Sequence, residues 1–433
     1  MTISHAGKGL SGKWKTLALT TSMTFMLGAA SAAADTVVKW MHVELDPKSV
    51  AVWEEIAADY ESKNPGVDVQ LQFLENEAFK AKLPTLLQSN DVPDFFYTWG
   101  GGVLEEQSKT GTLKDLTEIF DADGGKLRNA YTASSINSLS FDGKLWSVPF
   151  KSSLVSFFYN KELFAKAGVN AGDIKTFDDL SEAVKTLKAA GIVPIAGGGG
   201  EKWPIHFYWS YLVMRNGGQE VFEAARAGNG EGFNDPAIVK AGEQLIEFGK
   251  LEPFQPGYLG ATWPQSLGVF GDGKAAMILG FDNTEANQRK NAGDSVGLAP
   301  ENIGRIAFPA VEGGAGKTTD TLGGINGWAV TKNASEAAID FATFLTNADN
   351  EKKMAAAGMI LPVAVGADAG VTNPLLAQSA KALAESTWHQ NFFDQTLGAA
   401  VGRVVNDVSV ELVSGQMTSE EAIEQIQEAM ELR

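Results

Sequence analysis

"TVVKWMHVELDPKSVAVWEEIAADYESKNPGVDVQLQF" (36–73) sets two strand patterns around one helix pattern. "TVVKWM" (36–41) reads as a short buried strand. In 47–66 the apolar residues Val50, Trp53, Ile56, Ala57 and Tyr60 recur on one helical stripe, and Pro65-Gly66 stops it. "VDVQLQF" (67–73) alternates Val67, Val69, Leu71 and Phe73, the period of a strand. A second helix over about 76–89 and a strand "DFFYTW" (94–99) follow. Strand, helix, strand, helix, strand implies an α/β fold with a parallel sheet covered by helices.

Ligands of such sheets sit outside the carboxyl ends of the strands. Those ends carry Trp40, with His42 and Glu44 just after it, and Trp99. Three glycines, Gly100 to Gly102, follow Trp99 at once. A flat ring beside backbone that lacks Cβ atoms suits a ligand with an apolar face, the glycine N–H groups donating to its edge. A core tryptophan beside a flexible turn is the alternative.

Working outward, the chain has 433 residues, 44% of them hydrophobic, and no cysteine. That length predicts two or three domains with large cores and no disulfides. Residues 1–34 read as a secretory signal peptide. Lys8, Lys13 and Lys15 precede a moderately apolar run, and Ala32 and Ala34 form an A-x-A site before Asp35. The competing reading, an N-terminal membrane anchor, fits poorly because the run is short and rich in Thr. No Cys stands at the cleavage site to take a lipid, and no twin arginine is present. The expected location is the periplasm of a bacterium with two membranes, without lipidation. Without the leader's three lysines, 32 basic face 53 acidic residues, a net charge of −21. That disfavours nucleic acid and anionic membranes as partners.

The middle and end of the chain repeat the α/β grammar. "TFDDLSEAVKTLKAAG" (176–191) opens on the capping-box pair Thr176 and Asp179, buries Leu180, Val184 and Leu187, and stops at Gly191. "IVPIAGGGG" (192–200) reads as a strand entering a glycine-rich loop. A last helix over about 419–432 starts at Thr418 and Glu421.

At "DGKLWSVPFKSSLVSFFYNKELFAKAGV" (142–169) the chain resembles the extracellular carbohydrate-binding proteins of ABC importers, solute-binding family 1, which includes maltose-binding protein. Gly143-Lys144, Trp146, Val148-Pro149, Tyr159-Asn160-Lys161, Leu163-Phe164 and Ala167-Gly168 carry the likeness. "NPGVDVQ", "VPDFFY", "FGDGKAAMILG" (270–280), "GGINGWAV" and "AAIDFATFLTN" extend it in order over essentially the whole mature chain.

The resemblance implies a two-lobed periplasmic-binding-protein fold with three hinge crossings and an interlobe cleft. Lobe one is expected over 35–150 plus 311–360, lobe two over 151–310 plus 361–433. The crossings would lie near 151–153, 308–311 and 361–363. It also implies no catalysis, no cofactor, a monomer, and delivery of a sugar to membrane permease subunits.

A sugar presents hydroxyl edges and small apolar faces, so its site needs rings beside charged or amide groups. Trp99, Trp203 and Trp263 sit in loops beside Gly or Pro and are the candidate rings. Trp53, Trp209 and Trp328 read as core, and Trp388 is left open. Glu44 follows the first strand, and Asp282 follows "AAMILGF". Lys151 and Ser153 lie at the expected first crossing. Asn326 is in the "GGINGW" turn, and His206 follows "GGGGEKWPI". Each polar candidate has a plainer reading as a solvated, turn or packing residue. Where maltose-binding protein has a charged pair after its lobe-one Trp, this chain has glycines, so maltose is not implied. Abundant rings point to a disaccharide or short oligosaccharide.

Other motifs fail on spacing. "GGAGKT" (313–318) imitates a phosphate loop, but Val311 stands where its first Gly is required. "DADGG" (121–125) is too short for a calcium loop. The mature chain's three His, at 42, 206 and 389, have no zinc spacing. Two rival functions remain, a polyamine carrier with the same fold and a secreted carbohydrate-cleaving enzyme with a carboxylate pair.

Overall fold

The computed structural model describes residues 36–432 except residue 90; the leader and its cleavage site lie outside the described residues. Strand β1 (Thr36–His42) pairs in parallel with β2 (Val67–Phe73) from Thr36 opposite Val67 to His42 opposite Phe73. Strand β3 (Phe95–Thr98) lies on its other side. The helix Pro47–Lys63 starts where the Asp46 carboxylate accepts the Lys48 N–H, and it buries Trp53, Ile56, Ala57 and Tyr60. The next helix ends at Leu86, shorter than its pattern suggested, with Pro84 in its last turn.

A small hairpin, β4 (Ser140–Phe141) with β5 (Lys144–Leu145), precedes the longest strand, β6 (Ser147–Asn160). Strands β7 (Val193–Ala196) and β8 (Ala275–Phe281), then β9 (Ile303–Ile306), which pairs with β6 off the main path, and β10 (Thr321–Val330) follow. Its order is β2-β1-β3-β10-β6-β8-β7. Short strands β11 (Leu361–Pro362) and β12 (His389–Asn391) pair with β6 and β10.

Strand β6 belongs to two sheets in turn. Ser147 to Leu154 pair with β10; Val155 to Tyr159 pair with β8, and Phe157 to Asn160 with β9. The core divides at the same place. One core gathers Trp40, Trp53, Phe95, Phe150 and Trp328. The other gathers Val155, Phe157, Tyr211, Phe308 and Trp388. In the first, Trp40, Trp53 and Trp328 interlock with ring centroids 5.0 to 5.8 Å apart. Trp40 is thus structural, as are Trp53, Trp209 and Trp328, all almost wholly buried.

The other chain passages differ from the expectation. Phe308 and Val311 pack in the second core, and membership changes within β10, between Leu322 and Ile325. Val363, Ala364 and Ala367 still pack in the first core, and the chain leaves it only before the helix Pro374–Ala384. The physical reason is anchoring. Arg215 donates to the carbonyls of Phe308, Pro309 and Asp320, so the segment between them is tied to the second half. The glycines of "GGAGKT" serve this anchoring. A Cβ on Gly314 or Gly316 would lie 2.2 or 1.9 Å from the Arg215 or Met214 carbonyl oxygen.

Candidate functional site

A cavity of about 470 Å³ opens between residues attached to the two cores. From the first side come Glu44, Asp46, Glu75, Lys80, Trp99 and Lys151. From the second come Glu201, Trp203, His206, Trp263, Phe281 and Lys290, with Asp394 and Gln395 from the segment after β12. Six of the nine sequence-derived candidates therefore meet here: Glu44, Trp99, Lys151, Trp203, His206 and Trp263.

The second wall is aromatic. Trp203 stands 5.4 Å from Trp263 and is stacked on Phe281 at 5.7 Å, with centroids as the reference. Glu201 holds this wall. Its carboxylate accepts the Trp203 indole N–H at 2.9 Å and the Trp263 backbone N–H at 3.1 Å. Burial raises the Glu201 carboxyl above its usual range, opposed by these two donors. Lys202, between Glu201 and Trp203, adopts φ of 64°, a costly conformation for a residue with a Cβ. That strain turns the chain from the Gly-rich loop into the helix Trp203–Arg226 and leaves Trp203 at its start.

The first wall has one exposed ring. Trp99 is half-buried, edge-on to Phe79 at 5.7 Å and to Tyr97 at 5.2 Å. At the glycines that follow it, the space a side chain would take is already filled by protein. A Cβ on Gly101 would lie 2.9 Å from the Gln395 carbonyl oxygen, and one on Gly102 would lie 2.5 Å from that of Thr396. The absent Cβ atoms of Gly101 and Gly102 thus make room for protein and not for a ligand: they let the 391–396 segment lie against the helix Gly101–Lys109.

Lys151 sits on β6 opposite Asn326 of β10. Its ammonium lies over the Tyr97 and Phe150 rings at 5.8 and 5.6 Å. Burial opposes its charge, but Tyr97, Glu44 and Asp282 together outweigh burial and keep its pKa above the ordinary lysine value. The other three candidates, Ser153, Asp282 and Asn326, do not line the cavity; each is buried and bonded to protein. Asp282 accepts the Leu154 N–H at 2.9 Å, and burial pushes its carboxyl up to about 6. Asn326 donates to the Tyr97 hydroxyl, and Ser153 to the Gly324 carbonyl. Both are buried.

His206 is buried with Nδ1 2.5 Å from the Trp203 carbonyl, which places the proton there. Burial lowers its pKa, against the pull of Asp394, whose carboxylate lies 3.6 Å from the unpartnered Nε2. Sequence reading missed Asp46, Glu201, Lys290, Asp394 and Gln395. Only Glu201, an acid two residues before a candidate tryptophan, carried a local signal. Among the described residues no cluster of His, Asp and Glu has a metal-holding arrangement.

A two-lobed α/β protein with a ring-walled cavity between its cores is a ligand receptor by architecture. The chain belongs to the bacterial extracellular solute-binding protein family, whose profile matches residues 46–352. A diacetylchitobiose binding protein of Streptomyces coelicolor, DasA, is 27% identical over 257 residues, 59% of this chain and 56% of that protein. A multiple sugar-binding protein of Streptococcus mutans is 25% identical over 52% of this chain and 53% of its own length. The chain spans about half the length of the relatives it matches. Among solved structures, one from work on xylan utilization by Caldanaerobius polysaccharolyticus aligns with a TM-score of 0.83 at 26% identity, over 90% of this chain and 99% of that one. A chitin oligosaccharide binding protein shares the fold, with a TM-score of 0.82 at 23% identity, over 92% and 99%.

Proposed function

We propose that this protein binds a sugar, a disaccharide or short oligosaccharide, without catalysis, and delivers it to the permease of an ABC importer. The observation that carries this reading is the pairing of rings with fixed charges. Trp99 faces the cavity from one core, and Trp203 with Trp263 from the other, while Lys151, His206, Glu44 and Asp394 supply hydrogen-bonding groups between them. Rings cover the C–H faces of a pyranose, and charge-assisted hydrogen bonds hold its hydroxyls at about 1.5–3 kcal/mol each. The names of the relatives agree with a sugar ligand.

The reading includes export by the leader, a soluble unlipidated form in the periplasm, and action as a monomer. It also includes two lobes that close on the ligand about the passages in β6, β10 and 368–373. Ligand-driven hinge closure of this kind follows from contacts that exist only when both walls meet the ligand.

Five carboxylates among the rings keep a polyamine in view, but Lys48, Lys80, Lys151 and Lys290 line the same cavity and would repel a polycation. A thermal-shift panel of neutral oligosaccharides and polyamines tests the proposal. A true ligand at a hundred times its Kd adds about 2.7 kcal/mol of stability. Stabilisation by at least one sugar and by no polyamine is expected; the reverse pattern refutes the reading. Release of shorter sugars on prolonged incubation would refute the non-catalytic part.

A further inference from the structure

Trp99 lines two cavities, not one. Beyond the ring-walled site lies a second space of about 730 Å³, between the helices Asn76–Leu86 and Gly101–Lys109 and the helix Ala399–Val413. Its floor is Phe79, Leu83, Leu87, Tyr97, Trp99 and Val103. Trp99, Lys80, Asp394 and Gln395 line both spaces, so the two adjoin at that indole.

The two spaces differ in chemistry. The first presents charged groups between rings, which suits a polyhydroxyl body. The second has an apolar lining of Phe79, Leu83, Leu87, Trp99 and Val103, with Glu77, Lys80 and Arg403 also among its residues. Leu87, Trp99 and Val103 are its half-buried apolar residues, over the buried Phe79, Leu83 and Tyr97, and the volume suits a small organic group with room to spare. A free sugar gains little there, because its hydroxyls would lose water without finding partners.

We propose that the ligand is a glycoside with an apolar aglycone, an aryl or alkyl group, whose sugar lies in the ring-walled cavity and whose aglycone passes Trp99 into the second space. This rests on the sugar-binding reading above and narrows it. Continuity at Trp99 commits the second space to the same ligand as the first. Lys80 supports the passage from the side, its ammonium 5.4 Å from the Trp99 ring centroid. A phenyl-sized group there moves from water onto carbon on several sides, which corresponds to roughly a tenfold to hundredfold gain in affinity.

The test is calorimetric titration of the mature chain with cellobiose, xylobiose, chitobiose and lactose, each free and as its 4-nitrophenyl β-glycoside. At least one aryl glycoside is expected to bind tenfold or more tightly than its parent sugar. Val103→Trp, and independently Leu87→Trp, fill the second space. Both are expected to erase the aryl advantage while leaving the parent affinity within about twofold. Melting curves check that each variant is folded. Parent binding with no aryl gain overturns this inference and leaves the sugar reading standing. An aryl gain untouched by both filled variants places the aglycone elsewhere and overturns it too. Absence of binding by every sugar and glycoside overturns both.

Discussion

The Lys290 ammonium lies 3.0 Å from the Asp46 carboxylate, joining the two sides of the cavity. Asp46 caps the helix Pro47–Lys63 and accepts the Ser49 hydroxyl at 2.9 Å. Lys290 ends the helix Thr284–Asn291, which packs on the helix Trp263–Gly271 of the other side. Burial alone would raise the Asp46 carboxyl; Lys290, Ser49 and the Lys48 N–H outweigh it and hold it below the usual carboxylate range. A depressed acid pKa gives stabilisation that is present above the unfolded value and lost as pH falls through the folded one. The bridge therefore acts as a latch at neutral pH and loosens in acid.

Lys290→Met is expected to lower the stability of the ligand-free protein by about 1 kcal/mol or less, as for other partly solvated ion pairs. Sugar affinity should fall several-fold, because the closed arrangement loses one of its differential contacts. Small-angle scattering without ligand should show a larger radius than wild type. Unchanged affinity and radius with a large loss of stability would make the pair an ordinary structural bridge.

Trp99→Ala removes a half-buried ring. Its cost in melting experiments should fall well short of the roughly 3–5 kcal/mol of a core aromatic truncation, while sugar affinity drops by about tenfold or more. Trp328→Ala should show the full core cost, since that ring is wholly buried. Gly101→Val is expected to act through stability, as its side chain meets the Gln395 backbone. A stable Gly101→Val protein that has lost binding would restore the ligand-facing role of the glycines.

Much of the fold was legible because its signals are local. The capping boxes at Thr176/Asp179 and Thr418/Glu421 form as their spacing predicts, and the Trp53 stripe is buried. The handover inside β6 was legible to within a few residues. The polar triplet Lys151-Ser152-Ser153 stands just before it, and the crossing expected near 151–153 lies beside the observed change at Leu154 and Val155; because the strand is buried nearly throughout, hydropathy alone does not fix the residue. The site splits along the same line. Rings beside Gly and Pro announced themselves, whereas Asp394, Gln395 and Lys290 reach the cavity only through tertiary packing. Asp282 does follow the end of β8, but it turns to the Leu154 N–H, and Asn326, expected in a turn, lies within β10 and donates to the Tyr97 hydroxyl.

Asp282 gives a pH signature. Its carboxyl is pushed up to about 6 by burial, so between the unfolded value near 4 and about 6 the native state holds the extra proton. Stability then falls as pH rises through that window, and the loss is complete above it. Asp282→Asn keeps an acceptor for the Leu154 N–H and has no charge to bury. Relative to wild type it should gain up to about 3 kcal/mol between pH 4 and 7. Urea titrations at several pH values measure this; a pH-independent difference would mean that Asp282 does not titrate there.

Glu351 fastens the start of the chain's last passage. It is buried, and one carboxylate oxygen accepts the N–H groups of Val363 and Ala364, each at 2.7 Å. Burial pushes its carboxyl well above the usual range. Glu351→Gln retains an acceptor and should cost about 1 kcal/mol or less, whereas Glu351→Ala strands two buried donors and should cost roughly 2–4 kcal/mol. Equal damage by both would show that the charge itself is required.

The most direct test is a crystal structure of the protein grown with the sugar that stabilises it best. The sugar is expected between Trp99 and the Trp203–Trp263 pair, within hydrogen-bonding reach of Lys151 or Asp394. A sugar seated elsewhere, or a polyamine filling that space in its place, would contradict the assignment of this cavity to carbohydrate.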